Sequence, residues 1–210
     1  MKKNIIITGG LGYIGTELCK IYSGISWNNK ITVIDNRFIS ERVNQLRNWN
    51  INFVQGDILD KELINKHCRE ADIIHHLAGI TDVPRVKSES NETNDKKIKL
   101  VAEEGTQNIL NAMSNKCKII LPSTHVVYEG IKEVKNDILE NEQTKPILSY
   151  AASKAINEEQ LKKSGKNYII LRLGSVYGYS SDTARIDIMP NLFSKITSQN
   201  GVLKLFAGGR

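Results

Sequence analysis

A glycine-rich turn near the start of the chain constrains the fold more than any other feature. A short apolar run leads directly into the sequence TGGLGYIG at residues 8–15. Gly10, Gly12 and Gly15 fit the pattern G-x-G-x-x-G, and Gly9 begins an overlapping G-x-x-G-x-x-G. Side chains there would block the tight turn, the approach of a pyrophosphate to backbone N–H groups, or helix–strand packing. The pattern predicts a dinucleotide-binding strand–turn–helix unit, against the alternative of an ordinary turn that required glycines.

A second apolar run gives this turn its partner. Residues 31–34 lead into Asp35, which lies 20 residues after Gly15. An acidic side chain at this spacing accepts hydrogen bonds from the ribose hydroxyls of NAD and repels the 2′-phosphate of NADP. The spacing favours NAD as the cofactor, and the nearby Arg37 keeps NADP open.

Strand-like apolar runs alternate with helical patterns along the chain, which indicates βαβ units and a parallel sheet. The expected strands are residues 4–8, 31–35, 51–55, 72–77, 117–122 and 167–173. The expected helices are residues 13–23, 60–69, 93–115, 150–164 and 187–199. The predicted fold class is α/β, a doubly wound parallel sheet (Rossmann fold), in which ligands bind at the carboxyl ends of the strands.

Composition excludes several other classes of protein. The 210 residues are 40% hydrophobic and 25% charged, which does not indicate disorder. The net charge of +6 is spread along the chain without an aromatic-interleaved basic stripe, so no nucleic-acid partner is expected. No apolar run is long enough to span a membrane and no signal peptide is evident, so we expect a cytoplasmic protein without a membrane partner.

The cysteines indicate neither a metal site nor a disulfide framework. Cys19, Cys68 and Cys117 are an odd number at wide spacing, without a C-x-x-C pair. We therefore expect three buried thiols and no bound metal.

Tyr150 and Lys154 carry the strongest signal of catalysis. Their four-residue spacing places the phenol and the ammonium on one face of a helix. A close positive charge favours phenolate over phenol, which makes the tyrosine a usable acid or base at neutral pH. The alternative is a packed tyrosine beside a surface lysine. The long irregular stretch at residues 129–148 precedes this helix, and such loops are usually functional or mobile.

Further short motifs follow one another in a recognisable order. They are GD at residues 56–57, HLAG at 76–79, GTQNIL at 105–110, STHVVY at 123–128 and LRLGSVYG at 171–178. Together with the glycine turn and YAASK at 150–154, they resemble the extended short-chain dehydrogenase/reductase family, in its nucleotide-sugar epimerase and dehydratase branch. The resemblance covers essentially the whole chain.

The resemblance implies an NAD site and assigns residues to it. Asp57 and Ile58 are expected against the adenine, Ala78 and Gly79 on the inner side of the cofactor, and Lys154 on the nicotinamide ribose. The full set of expected cofactor-binding residues is Gly9, Gly12, Tyr13, Ile14, Gly15, Asp35, Asn36, Asp57, Ile58, Leu77, Ala78, Gly79, Tyr150 and Lys154.

The resemblance also implies a catalytic set of Thr124, Tyr150 and Lys154. Tyr150 is expected to remove a proton from a sugar hydroxyl as a hydride leaves the same carbon for the nicotinamide. The hydroxyl of Thr124 would bind the reacting oxygen and assist the proton transfer. A threonine that simply ends the fifth strand is the alternative for Thr124.

The residue two positions after Thr124 bears on the reaction type. Dehydratases and decarboxylases of the family carry a carboxylate there, whereas this chain has Val126. We therefore expect an NAD-dependent nucleotide-sugar epimerase that transiently oxidises a sugar carbinol to a ketone. A keto-sugar reductase or dehydratase of the same family is the alternative, and a non-catalytic NAD-binding sensor is the alternative from another class.

The expected substrate is a nucleotide sugar or a related sugar, bound by Thr81, His125, Ser175 and Asp187. His125 would contact the substrate or solvent, or act as a substitute acid or base. Many sugar epimerases of the family it resembles have asparagine where this chain has Ser175, and again near Asp187. An aspartate near a diphosphate is unfavourable unless paired, which leaves a substrate other than the usual UDP-sugar open.

The domain organisation follows the same resemblance. We expect an NAD-binding domain at residues 1–178 and the start of a substrate-binding subdomain at residues 179–210. Family members normally continue well beyond a segment like residues 203–210, so this subdomain is expected to be largely absent. A fragment, or a short member that relies on a partner for its lid, would explain that. The resemblance also implies a homodimer.

Overall fold

The computed structural model describes residues 2–25, 28–81, 91–181, 186 and 188–204. Its strands are β1 (Asn4–Thr8), β2 (Lys30–Asp35), β3 (Asn52–Gln55), β4 (Ile73–His76), β5 (Lys118–Thr124) and β6 (Asn167–Leu173). Its helices are α1 (Tyr13–Gly24), α2 (Ser40–Asn48), α3 (Lys61–Cys68), α4 (Glu92–Ala112), α5 (Ser149–Lys163) and α6 (Met189–Ser198). A 3₁₀ turn at His125–Tyr128 follows β5.

The strands form one parallel sheet in the order β3-β2-β1-β4-β5-β6. β1 lies at its centre, where Ile7 is opposite Val33 of β2 on one side and His75 of β4 on the other. The order reverses between β1 and β4, which is the switch point where Rossmann folds bind their ligands. The predicted fold class is confirmed.

Both faces of the sheet are covered by helices. Along β1, Ile6 points to one hydrophobic cluster, which includes Ile109 of α4 and Leu161 of α5. Ile5 and Ile7 point to the opposite cluster, which includes Cys19 of α1 and Leu46 of α2. Successive side chains of a strand alternate between faces, so the isoleucine run of β1 serves both layers at once.

The sequence prediction missed α2. Only Val43 and Leu46 are buried in this nine-residue helix, and its other positions are mostly polar. Two apolar positions three residues apart give too little periodicity to distinguish a short helix from a loop. β5 extends further than predicted and ends at Thr124. The three cysteines are free and buried, as expected.

In the described part of residues 129–148 there is neither helix nor strand, as the sequence indicated. Within the described ranges, no helix combines the length and the apolar character needed to cross a membrane. The division at residue 178 stays a prediction.

Candidate active site

The predicted site residues gather at one edge of the sheet. The expected cofactor residues lie at or after the carboxyl ends of β1, β2, β3 and β4, with Tyr150 and Lys154 added from α5. The expected substrate residues Thr81, His125 and Ser175 follow β4, β5 and β6. Because parallel strands end at the same edge, these residues lie along the edge of the sheet where Rossmann folds bind their ligands.

The glycine turn is packed too tightly for side chains. Gly9 has φ +71°, and a Cβ on it would lie 2.7 Å from the backbone nitrogen of Ala78. A Cβ on Gly15 would lie 2.5 Å from the carbonyl oxygen of Gly9. At Gly12, which precedes α1, no side-chain hydrogen bond caps the helix. The backbone N–H groups at this helix start are suited to an anion, so the turn fits the pyrophosphate of a dinucleotide.

Asp35 supports this turn directly. Its side chain is only 4% exposed, and its Oδ2 accepts a hydrogen bond from the backbone N–H of Leu11 at 3.0 Å. Its Oδ1 accepts from the backbone N–H of Arg37 at 3.0 Å and pairs with the Arg37 Nε at 3.4 Å. The carboxylate therefore has a structural role besides the predicted contact with ribose.

Asn36 and Asp57 lie together at the predicted adenine end. The side-chain amide of Asn36 donates to Asp57 Oδ2 at 3.0 Å, and Asp57 Oδ1 accepts from the backbone N–H of Leu59. Ile58 differs from its neighbour. Its side chain belongs to the core, where a Cβ on Gly105 of α4 would lie 2.3 Å from Ile58 Cδ1. Any contact of Ile58 with a cofactor would therefore come from its backbone.

The inner side of the cleft is formed by the residues after β4. The backbone N–H of Leu77 donates to the Thr8 carbonyl at 3.1 Å, and that of Ala78 donates to Thr8 Oγ1 at 3.3 Å. Gly79 is exposed with open space around its Cα. These bonds hold the Leu77–Ala78 backbone against the glycine turn.

Tyr13 links the start of α1 to the segment after β6. Its hydroxyl donates to the carbonyl of Gly178 and accepts from the Asn191 amide at 3.1 Å. Its own carbonyl accepts from the Ser180 hydroxyl at 2.9 Å. Ile14, next to it, is 36% exposed at the helix start. The sequence pattern included Tyr13 and Ile14 but gave no indication of Ser180 or Asn191.

The predicted catalytic residues come from β5 and α5. Thr124 is the last residue of β5, is 7% exposed, and accepts from the backbone N–H of Val126 at 3.3 Å. Tyr150 lies half-buried in the first turn of α5, and Lys154 is buried one turn further along. α5 packs against β5 and against the 3₁₀ turn after it. This packing brings the three residues to the same edge of the sheet.

Lys154 lies close enough to His76, at the end of β4, for its charge to affect the pKa of that ring. Burial lowers the pKa of the Lys154 ammonium to about 8, so it is still mostly charged at neutral pH. Burial, followed by the charge of Lys154, lowers the pKa of His76 at the end of β4 to about 3. His76 is therefore neutral and lies between two threonine hydroxyls, with Thr8 Oγ1 at 2.9 Å and Thr106 Oγ1 at 2.9 Å.

The predicted substrate residues are more exposed. Thr81 and Ser175 lie at the surface after β4 and β6. His125 Nδ1 is 3.1 Å from the carbonyl oxygen of Leu173. Because a carbonyl oxygen only accepts, Nδ1 carries the hydrogen and Nε2 is left as an acceptor. Asp187 lies outside the described residues.

Sequence reasoning missed the residues that hold these groups in place. Glu129, Glu158 and Arg172 make bonds across 14 to 44 residues of sequence, and no local motif signals such contacts. Among the residues described, no cluster of His, Cys, Asp and Glu could hold a metal ion.

A nucleotide-binding Rossmann fold with a Thr–Tyr–Lys set at its carboxyl edge defines a class of dinucleotide-dependent proteins. Comparison with known families agrees, since residues 5–210 match the NAD-dependent epimerase/dehydratase family. The chain belongs to this family, as the resemblance implied.

Individual relatives are enzymes that act on nucleotide sugars. A UDP-N-acetyl-alpha-D-glucosaminuronate decarboxylase from Bacillus cytotoxicus is 30% identical, over all of this chain and 66% of its own length. The UDP-N-acetylglucosamine 4-epimerase of Methanobrevibacter ruminantium M1, solved with UDP-N-acetylmuramic acid, superposes with a TM-score of 0.78 at 26% identity. The UDP-glucuronic acid 4-epimerase of Bacillus cereus, solved with NAD, superposes with a TM-score of 0.77 at 25% identity.

The coverage of these relatives is unequal. The two superpositions include 96% and 98% of this chain but 64% and 66% of the solved chains. The chain therefore spans about two thirds of the length of these relatives.

Proposed function

We propose that the chain binds NAD and catalyses the reversible oxidation of a sugar carbinol as a nucleotide-sugar epimerase. The observation that carries this proposal is the position of Lys154. Its ammonium is buried one turn after Tyr150. The charge of this ammonium helps to lower the pKa of His76, which lies beside the glycine turn. A buried charge at that point is costly unless it serves a ligand, and the ribose of a dinucleotide provides hydroxyl oxygens as partners.

The residues then divide the chemistry between them. A bound NAD supplies reversible hydride acceptance at its nicotinamide. Tyr150 accepts the proton of the sugar hydroxyl, and the charge of Lys154 favours the phenolate that this requires. Thr124 donates a hydrogen bond to the same sugar oxygen, which holds it toward Tyr150. The glycine turn, Asp35 and the pair of Asn36 and Asp57 hold the rest of the cofactor.

The residue at position 126 favours epimerisation over the alternatives. Val126 lies two residues after Thr124, within the 3₁₀ turn, and its side chain has no group that moves a proton. A decarboxylase or a dehydratase needs further proton transfer beside the new ketone, and His125 is the nearest group in sequence with a free acceptor nitrogen. Dehydratase and reductase chemistry are the alternatives within the family. The kcat of His125→Ala would distinguish these alternatives from epimerisation. An epimerase that only contacts substrate through His125 keeps its kcat within a few-fold.

The first test is a turnover assay on UDP- and dTDP-linked hexoses, with products identified by NMR. Formation of a sugar epimer, at whichever carbon, by the wild-type chain would support the proposal. Tyr150→Phe should keep the NAD affinity of the wild type and lose at least about 10²-fold in kcat. Equal turnover by both proteins would contradict the assigned role of Tyr150. NAD binding with no turnover on any substrate would instead support a non-catalytic sensor.

The second test concerns the cofactor. Parallel titration of NAD and NADP should give tighter binding of NAD, because the buried Asp35 carboxylate repels a 2′-phosphate. Asp35→Asn keeps an acceptor for the Leu11 N–H and removes the charge. It should therefore reduce the ratio of the Kd for NADP to the Kd for NAD by about tenfold, or 1.4 kcal/mol. Tighter binding of NADP by the wild type would overturn this choice of cofactor.

The substrate contacts and the assembly belong to the same proposal. Thr81, His125, Ser175 and Asp187 are proposed substrate contacts, and residues 179–210 the start of the substrate subdomain. A homodimer is proposed from the family resemblance, and light scattering of the purified chain would test it.

A further inference from the structure

Glu129 connects the turn after Thr124 to the residues before Tyr150, the two residues that the proposed function assigns to the same sugar oxygen. It directly follows the 3₁₀ turn after Thr124. Its Oε1 accepts the backbone N–H groups of Ile147 at 2.6 Å and of Leu148 at 2.5 Å, 18 and 19 residues away. Leu148 is the residue before α5, and its own side chain does not cap the helix. The Glu129 carboxylate therefore supplies the negative group that a helix start favours.

Backbone bonds reinforce this contact. The N–H of Lys145 donates to the carbonyl of Val127 at 2.8 Å, and the N–H of Gly130 donates to the carbonyl of Lys145 at 2.8 Å. A Cβ on Gly130 would lie 2.5 Å from that carbonyl oxygen, so only glycine allows the approach. Residues 127–130 and 145–148 thus form a closed contact, which we call the strap.

The strap lies next to both proposed catalytic positions. At one end, Val126 donates its N–H to Thr124 Oγ1, one residue before the strap begins. At the other end, the strap runs into Ser149 and Tyr150 at the start of α5. The strap therefore joins the turn after Thr124 to the residues just before Tyr150.

We propose that Glu129 is a positioning residue that fixes the start of α5, and with it the Tyr150 phenol, against Thr124. This inference rests on the proposed function. One charged oxygen accepting two N–H groups makes hydrogen bonds about twice as strong as neutral ones. The requirement is strict, because a misplacement of about 1 Å at a reacting group costs about 10²-fold in rate.

Glu129→Gln tests the proposal, and Glu142→Gln is its matched control. Glu142 lies in the same loop and its side chain pairs with Lys135 at 2.7 Å, without a hydrogen bond to the backbone of the strap. Both variants lose one carboxylate from the loop, but only the first weakens the bonds to residues 147 and 148. Gly130→Ala is a second variant that should loosen the strap, because its methyl group displaces the Lys145 carbonyl.

The measurements are amide hydrogen exchange over residues 145–153, kcat, and the Kd for NAD. We expect Glu129→Gln and Gly130→Ala to speed exchange of these amides by about tenfold or more. Their kcat should fall by about 10- to 100-fold. Their Kd for NAD should stay within about twofold, because the glycine turn and Asp35 are untouched and Lys154 lies further along α5 than the residues that the strap holds. A general loss of stability would weaken NAD binding and speed exchange in α1 as well, which separates it from positioning.

The outcomes that overturn the inference differ from those that overturn the proposed function. Unchanged exchange in both variants would show that the strap does not hold α5. Faster exchange with unchanged kcat would remove the positioning role. No turnover by the wild-type chain would overturn the proposed function and the catalytic consequence of the strap, while the exchange data alone would still decide whether Glu129 holds α5.

Discussion

The hydroxyl of Ser123 donates a 2.6 Å hydrogen bond to Oε1 of Glu158, 35 residues later in the chain. Ser123 precedes Thr124 in β5, and Glu158 lies one turn beyond Lys154 in α5. The second oxygen of Glu158 pairs with Arg172 Nη2 of β6 at 2.6 Å. Burial alone would raise the pKa of the Glu158 carboxyl, but the hydrogen bonds from Arg172 and Ser123 outweigh it and lower the pKa. The hydrogen bonds among Ser123, Glu158 and Arg172 connect β5, α5 and β6. Of these elements, β5 and α5 carry the proposed catalytic residues.

Removing Glu158 should therefore destabilise the chain strongly. Glu158→Ala leaves the Arg172 guanidinium, 15% exposed, without its carboxylate partner, and should lower the free energy of unfolding by about 3–5 kcal/mol. Ser123→Ala removes one hydrogen bond and should cost about 1 kcal/mol. The control is Glu159→Ala, an exposed neighbour paired only with surface lysines, which should change stability by less than about 0.5 kcal/mol. Urea unfolding measures all three, and equal losses at Glu158 and Glu159 would contradict the role given to the pair.

His76 should make the fold sensitive to acid. Its pKa in the folded chain is about 3, below the ordinary value of 6.5, because burial and Lys154 disfavour the charged ring. The unfolded chain then binds a proton that the folded chain does not, so stability present above pH 6.5 is lost as the pH falls toward 3. Near pH 5 this loss amounts to about 1.4 kcal/mol per pH unit.

His76→Gln is the comparison for this slope. The glutamine keeps polar contacts but cannot titrate, while His75, whose pKa burial lowers to about 4, contributes equally to both proteins. Urea unfolding between about pH 5 and pH 7 should show a steeper loss for the wild type. Parallel curves would mean that His76 gains its proton in the folded state.

The charge of Lys154 should govern the pH dependence of NAD binding. Its pKa of about 8 lies below the ordinary 10.5, so the ammonium loses its proton as the pH rises through 8. A neutral amine offers a weaker hydrogen bond to the ribose oxygens. Calorimetric titration should therefore give a several-fold weaker Kd for NAD at about pH 9 than at about pH 7. Lys154→Met should bind weakly at both values, and a wild-type Kd independent of pH would contradict the assignment.

Gly9 should be irreplaceable in the turn. Gly9→Ala places a methyl group 2.7 Å from the Ala78 nitrogen at a φ of +71°, where both the clash and the backbone are unfavourable. We expect a loss of about 1–3 kcal/mol in stability and at least about tenfold in NAD affinity. Gly24→Ala is the control, since its Cβ meets nothing within 4 Å at the end of α1. That variant should be as stable as the wild type or up to about 1 kcal/mol more stable, and thermal unfolding with NAD titration compares the two.

Much of the fold could be predicted because its signals are local. The isoleucine run of β1, the glycines after it and the spacing to Asp35 follow from the geometry of one strand–turn–helix unit. α2 was not predicted because its two buried residues can be recognised as core positions only from the hydrophobic cluster that they form with β1 and β2. Likewise the core position of the Ile58 side chain depends on Gly105, which lies in another helix.

The sequence by itself determined the Rossmann class, and it predicted the edge of the sheet that binds ligands and, through the family resemblance, the Thr124, Tyr150 and Lys154 set. Helix and strand periods and the steric demands of a glycine turn act over a few residues, so they can be read from the chain. Only the tertiary structure decided that Glu129 holds the start of α5 and that Glu158 meets Ser123 and Arg172. Hydrogen bonds across 14 to 35 residues depend on which strands pair and where a loop returns, and no local pattern encodes either.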